Sequence, residues 1–215
     1  MTTQTGDIKQ LATLVEVSQT LASTLNLEGA LHRVLEILEY QHSMVPSMVT
    51  LLQEPSSELA IAVANGLPAD GMQVRYHVGE GITGRVVESG KPIIVPQISH
   101  EPMFLNRAGR RRNLQTQERT FICVPVIINR RPVGALGVDL RFRKDRDYDR
   151  ELNFLHVVAS MIAQAINIHH LVEAERQRLP QHVLDLTVDR AQLVAGPAAQ
   201  GVEHLGVGAQ QERVA

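Results

Sequence analysis

Residues 78–95 read VGEGITGRVVESGKPIIV, and the reading of this stretch decides the fold. Just upstream, polar Gln73, Arg75 and His77 alternate with apolar Val74, Tyr76 and Val78, which predicts a strand over 72–78. A glycine-rich turn follows. Residues 82–88 predict a short helix that Ser89-Gly90 stops, and Lys91-Pro92 opens a second, fully apolar strand at Ile93, Ile94 and Val95.

Gly79, Gly81 and Gly84 in that turn match GxGxxG, and two readings compete for them. One is a dinucleotide site, because the match follows a strand and opens a helix. Glu80 opposes it by placing a carboxylate where a pyrophosphate would sit. The helix is also short for a crossover, and the acidic residue expected about twenty positions on falls at Glu101, in a loop-like Ser99-His100-Glu101-Pro102. The other reading, which these points favour, is a tight strand-to-helix turn that needs glycine for conformational reasons alone.

Outward from this stretch the chain organises as follows. Positions 8, 11, 12, 15, 18, 21, 22 and 25 (Ile8 through Leu25) recur at helical spacing, and Asn26 caps a second helix with the stripe Ala30, Leu31, Val34, Leu35 and Leu38. The two helices form either an antiparallel hairpin or a bent rod. Strands are predicted over 48–52 and 59–64, joined by the turn Glu54-Pro55-Ser56-Ser57. Residues 97–118 form a long irregular connection carrying Phe104 and a basic cluster of Arg107, Arg110, Arg111 and Arg112. Strands over 119–128 and 133–140 make a hairpin about Asn129–Pro132. Asp147 or Asp149 then caps a long helix with Leu152, Leu155, Val158, Ala159, Ile162, Ala165, Ile166, His169 and Val172 along one face. The expected class is α+β: an antiparallel sheet of about five to six strands, with the N- and C-terminal helices packed on one face.

Composition narrows the function classes. The 215 residues are 44% hydrophobic but only 3% aromatic, so aliphatic side chains must fill the core. A net charge of -2 supplies no global field toward nucleic acid or an acidic membrane. One cysteine, Cys123, excludes an internal disulfide and a multi-cysteine zinc site, and fits a cytoplasmic protein. Uninterrupted apolar runs stay well short of 18 residues and the N-terminus has no basic-then-apolar pattern, so neither a membrane span nor a signal peptide is expected. HExxH and Gly-x-Ser-x-Gly are both missing, and His169 and His170, about 100° apart on a helix, cannot easily face one metal ion.

The order of elements, with GEGITGRVVESGKPIIVP, ISHEPMFLNR, the FICVPV strand and RPVGALGVDL, resembles a GAF domain. More narrowly it is similar to the amino-terminal GAF domain of NifA-type activators of nitrogen-fixation genes, over residues 8–179. The resemblance implies a regulatory, non-enzymatic sensor that gates an AAA+ ATPase acting on sigma-54 RNA polymerase. It implies a small effector such as 2-oxoglutarate, or partners of the NifL or PII type, and contact with polymerase and DNA only through domains this sequence does not contain. No GxxxxGK[ST] phosphate loop and no helix-turn-helix are present. The expected organisation is a signalling helix over 1–26, a GAF domain over 27–172, a helix end over 173–179, and a tail over 180–215 from a truncated or frame-shifted frame. A stand-alone small-molecule enzyme on a GAF-like fold is the alternative.

Three groups are candidate site residues. Cys123 lies in an apolar strand and reads first as a small core residue; a redox thiol would need a resolving partner. Arg110 and Arg111 read as a solvated loop or as an anion site, since arginine grips carboxylates bidentately. Tyr76, Ile94, Phe104, Phe121 and Cys123 are the expected pocket wall. The seams of the first and last helices are long enough to pair in a homodimer.

Overall fold

In the computed structural model the described residues are 2–24, 26–105 and 118–178. Four helices and six strands occur among them: α1 (Thr2–Ala22), α2 (Leu27–His42), β1 (Ser47–Gln53), β2 (Glu58–Asn65), β3 (Arg75–His77), α3 (Gly81–Ser89), β4 (Ile93–Val95), β5 (Arg119–Ile128), β6 (Arg131–Arg141) and α4 (Tyr148–Arg178). The strands form one sheet in the order β3-β2-β1-β6-β5-β4, and every neighbouring pair is antiparallel. The described residues up to Val172 belong to one compact unit.

Both faces of the sheet are covered. On one face Val49, Val63, Ile122, Val124, Leu136 and Val138 pack with α1, α2 and α4 through Val17, Leu31, Leu35, Leu155, Val158 and Ile162. On the other, Met48, Leu59, Ile61, Phe121, Cys123 and Ala135 pack with α3 through Ile82, Val86 and Val87. Strands covered on both sides must be apolar at every position, which is why FICVPV shows no alternation. A bulge refines this pattern. The register shifts between Val49 and Thr50, so that Val49 pairs with Val63 and Thr50 with Ile61. Leu59 and Ile61 therefore face α3 while Val63 faces the helices.

The expected strand over 72–78 is shorter in the structure. Residues Ala69–Gln73 form a 3-10 turn, and only Arg75–His77 pair, with Glu58–Ala60 of β2. The alternation survives at three residues, where Tyr76 points inward and Arg75 and His77 outward. The α1–α2 choice resolves to an antiparallel hairpin, because Thr13 in mid-α1 meets Gln41 and His42 at the end of α2. Asn26 caps α2 by accepting from Gly29 N–H at 3.0 Å, and Asp147 accepts from Arg150 N–H at 3.1 Å at the start of α4. By length and composition α4 could cross a membrane. Its row of Phe154, Leu155, Val158, Ala159, Ile162, Ala163 and Ile166 is instead buried in the domain.

The glycine turn closes on itself. Gly79 N–H donates to Gly84 O at 2.9 Å, Glu80 N–H to His77 O at 3.0 Å, and Gly84 N–H to Glu80 O at 3.0 Å. The Glu80 carboxylate accepts from His77 N–H at 2.9 Å. Three amides of the turn, those of Gly79, Glu80 and Gly84, are bonded within it, and the Glu80 carboxylate occupies its start, so the geometry is that of a strand-to-helix turn. Gly79 and Gly81 have φ of +83° and +60°, and a Cβ on Gly84 would collide with the carbonyl oxygen of His77.

Two predictions rest on these local geometries. Gly84→Ala should lose roughly 1–3 kcal/mol, the usual cost of forced overpacking, by shifting the β3–α3 turn; urea unfolding against wild type measures it. His42 is held down to about 4 by burial and then by the Lys9 ammonium. Unfolded, it titrates near its ordinary 6.5. Between those values the unfolded chain binds a proton that the native one refuses, so stability should fall as pH drops through this window and level off below it. His42→Gln should flatten that part of the profile in urea unfolding series run from about pH 7 to about pH 4.

Candidate functional site

The α3 face of the sheet gathers most of the expected pocket wall. Tyr76 of β3, Phe121 and Cys123 of β5 belong to one buried cluster, and Phe104 packs against it from the connection after β4. Phe104 meets Phe121 edge-on, with ring centroids 5.1 Å apart and planes at 84°. Ile94 does not join them. It pairs with Ile122 of β5 and packs with the α1–α2–α4 cluster on the opposite face. The reason is parity: Ile94 is one residue from Val95, which faces α3, and adjacent strand residues point to opposite faces.

Two small residues shape the face. The ring of Phe121 lies over Gly137 of β6, where a Cβ would come within 2.9 Å of Phe121 Cζ. Leu105 Cδ1 lies 3.0 Å from the position of a Cβ on Gly81, so the connection is seated on the start of α3. The connection is also pinned at its root. Thr120 Oγ1 donates to Pro96 O at 2.7 Å, and Ser99 N–H donates to Glu118 Oε1 at 3.2 Å. Glu101, the acidic residue that a nucleotide site would have required, accepts from Met103 N–H at 3.0 Å within its own loop.

A charged pair closes one end of this face and escaped the sequence reading. Asp139 of β6 is the cross-strand partner of Phe121 and is 1% exposed. Arg119 Nε lies 3.7 Å from Asp139 Oδ2, and Arg119 Nη2 donates to Val45 O. The signal was available as the one charge inside VGALGVDL. A buried carboxylate beside a guanidinium is a polar feature that can orient a small molecule in an otherwise apolar site. Arg110 and Arg111, with Arg107 and Arg112, lie outside the described residues.

Among the described residues no three His, Cys, Asp or Glu side chains converge in a way that could hold a metal ion. Cys123 is fully buried against Ile93 and Gly137, its strand partners. A separate groove of about 470 Å³ lies on the outer side of α1 and α2, lined by Glu16, Arg33, Glu36, Ile37, Glu39, Tyr40 and Gln41. Charged and apolar side chains line it together, and it contains none of the expected pocket residues.

Comparison with known proteins agrees with this fold. The chain is 36% identical over 171 residues to the Nif-specific regulatory protein of Azospirillum brasilense, covering 78% of this chain and 27% of that protein. It is 32% identical over 178 residues to the nitrogen fixation protein VnfA of Azotobacter vinelandii, covering 79% and 34%. It thus spans about a quarter to a third of the length of these curated relatives. In fold it is similar to the A. Aeolicus nlh2 GAF domain in an inactive state, with a TM-score of 0.69 at 22% identity, covering 75% of this chain and 98% of that one. It is also similar to the free methionine-R-sulfoxide reductase of Neisseria meningitidis in complex with its substrate, with a TM-score of 0.64 at 17% identity, covering 76% and 91%. The GAF domain model matches residues 24–167, more than half of the sequence, and the chain belongs to the GAF domain family.

Proposed function

We propose that this domain is the regulatory sensor of a nitrogen-fixation transcriptional activator, and that it gates an AAA+ module by binding a small effector or a partner protein on its α3 face. The observation that carries this reading is the similarity to Nif-specific regulators, which runs along more than three quarters of the chain. The domain acts in the cytoplasm and is non-catalytic; a reductase use of the fold would call for a reactive thiol, whereas Cys123 is fully buried. A dicarboxylate such as 2-oxoglutarate suits a site with Phe104 and Phe121 as its apolar wall and Arg110 and Arg111 as its anion grip. NifL- or PII-type proteins are the protein partners the same reading implies. Sigma-54 RNA polymerase and DNA would be reached only through the activator's other domains.

Transmission would run through a homodimer. Ile8, Leu11 and Val15 of α1 are 64%, 63% and 57% exposed, and with Ser18 and Ala22 they repeat at three- and four-residue steps. That is the a/d pattern of a two-stranded seam. Effector binding then biases one arrangement of the paired helices over another.

Two measurements test the proposal. Calorimetric titration of the chain with 2-oxoglutarate should give saturable heat, and Arg110→Ala/Arg111→Ala should weaken binding by roughly tenfold or more, as loss of a charge-assisted contact does. Binding that the double variant leaves unchanged would move the site away from the arginines. An absence of heat would leave partner-protein gating. Sedimentation equilibrium should give a dimer for the wild type and a monomer for Leu11→Glu/Val15→Glu, whose exposed positions leave the fold intact.

A further inference from the structure

α1 is attached to the domain by a mixed face: a large apolar row points outward, and the inward side combines apolar contacts with buried Thr13. The described side chains of α1 that are fully buried are Thr13 and Val17, with Leu14 and Leu21 partly buried beside them. Thr13 Oγ1 lies 2.8 Å from Lys9 O, 2.8 Å from His42 Nε2, and in contact with Gln41 Oε1. Gln41 Nε2 donates in turn to Glu16 Oε2 on α1. The His42 ring lies 4.7 Å from the ring of Phe154 of α4, tilted by 43°. A turn nearer the start of α4, Arg150 pairs with Asp7 at 2.6 Å and donates to Gln10 at 3.3 Å. α1, α2 and α4 therefore meet at one polar junction.

We propose that Thr13, Gln41 and His42 form a polar latch that fastens α1 to the domain, so that α1 opens as a unit while the sheet stays folded. Neutral His42 carries one ring N–H. Its Nε2–H donates to Thr13 Oγ1, which leaves the Thr13 proton for Lys9 O or Gln41 Oε1. Removing the Thr13 hydroxyl leaves the His42 and Gln41 polar atoms at a half-buried seam without that partner, a cost that falls on the docked state of α1 alone. The sheet is insulated from it, because β1, β5 and β6 are held by ladder bonds and by clusters to which α1 contributes fully only Val17. The opening unit is the helix whose outer row is the seam in the proposed homodimer. The latch gives that sensor reading its moving part.

Hydrogen exchange of the full chain without any effector tests the latch, so its failure leaves the effector reading standing. Thr13→Val should speed exchange of amides in 6–22 by roughly tenfold, with β5 and β6 unchanged. Thr13→Ser, which keeps the hydroxyl, should restore wild-type protection. Arg150→Gln at the other end of the junction should speed the same amides, and guards against a Thr13→Val that fails to fold. Unchanged exchange of 6–22 in both Thr13→Val and Arg150→Gln would overturn the proposal. So would exchange that rises equally in α1 and the sheet.

Discussion

The structure depends on burying one antiparallel sheet on both faces. The β5–β6 hairpin is central to this. Ile122, Val124, Leu136 and Val138 feed the helical side, while Phe121, Cys123 and Ala135 feed the α3 side. Each of these residues is buried almost completely. Removing one large member, as in Leu136→Ala, belongs to the class of core truncations that cost about 2–5 kcal/mol. With aromatics at only 3% of the chain, branched aliphatics carry most of that burial, and three of the few aromatic rings gather on the α3 face. Phe104, Phe121 and Tyr76 all collect there.

This division of labour separates two tasks. The helical side is a stable base, with α2 and α4 covering the sheet and α1 fastened at its edge through Thr13, His42 and Val17. The α3 side is built from short elements: a three-residue β3, a three-residue β4 and the nine-residue α3. Short elements and connections are the parts of a domain that yield at low free-energy cost. The proposed sensor role calls for that asymmetry, a stable platform behind a face that can adapt.

Much of the fold was legible in the sequence because its signals are local. The stripe of α2 was read from Ala30 to Leu38 and is buried as expected. Asn26 and Asp147 cap the helices the sequence assigns to them. β5 spans Arg119–Ile128, the bounds the sequence predicts. What sequence could not supply is parity and pairing. The register shift beside Val49 changes which face Val63 serves, and only the β1 partner reveals it. Ile94 is an expected member of the pocket wall, yet its face is set by pairing with Ile122. Residues 72–74 alternate like a strand, but β2 offers β3 only three paired residues. Asp139 went unnoticed because its meaning depends on Arg119 and Phe121, neighbours across the hairpin.

The central claim is that the α3 face receives the effector. The most direct measurement is a chemical-shift map of the labelled chain titrated with 2-oxoglutarate. The account predicts shifts concentrated at Tyr76, Phe104, Phe121, Cys123 and the start of α3, with Ile94 and Val124 on the other face little changed. Shifts confined to the α1–α2 groove around Tyr40, or no shifts at saturating ligand, would contradict it.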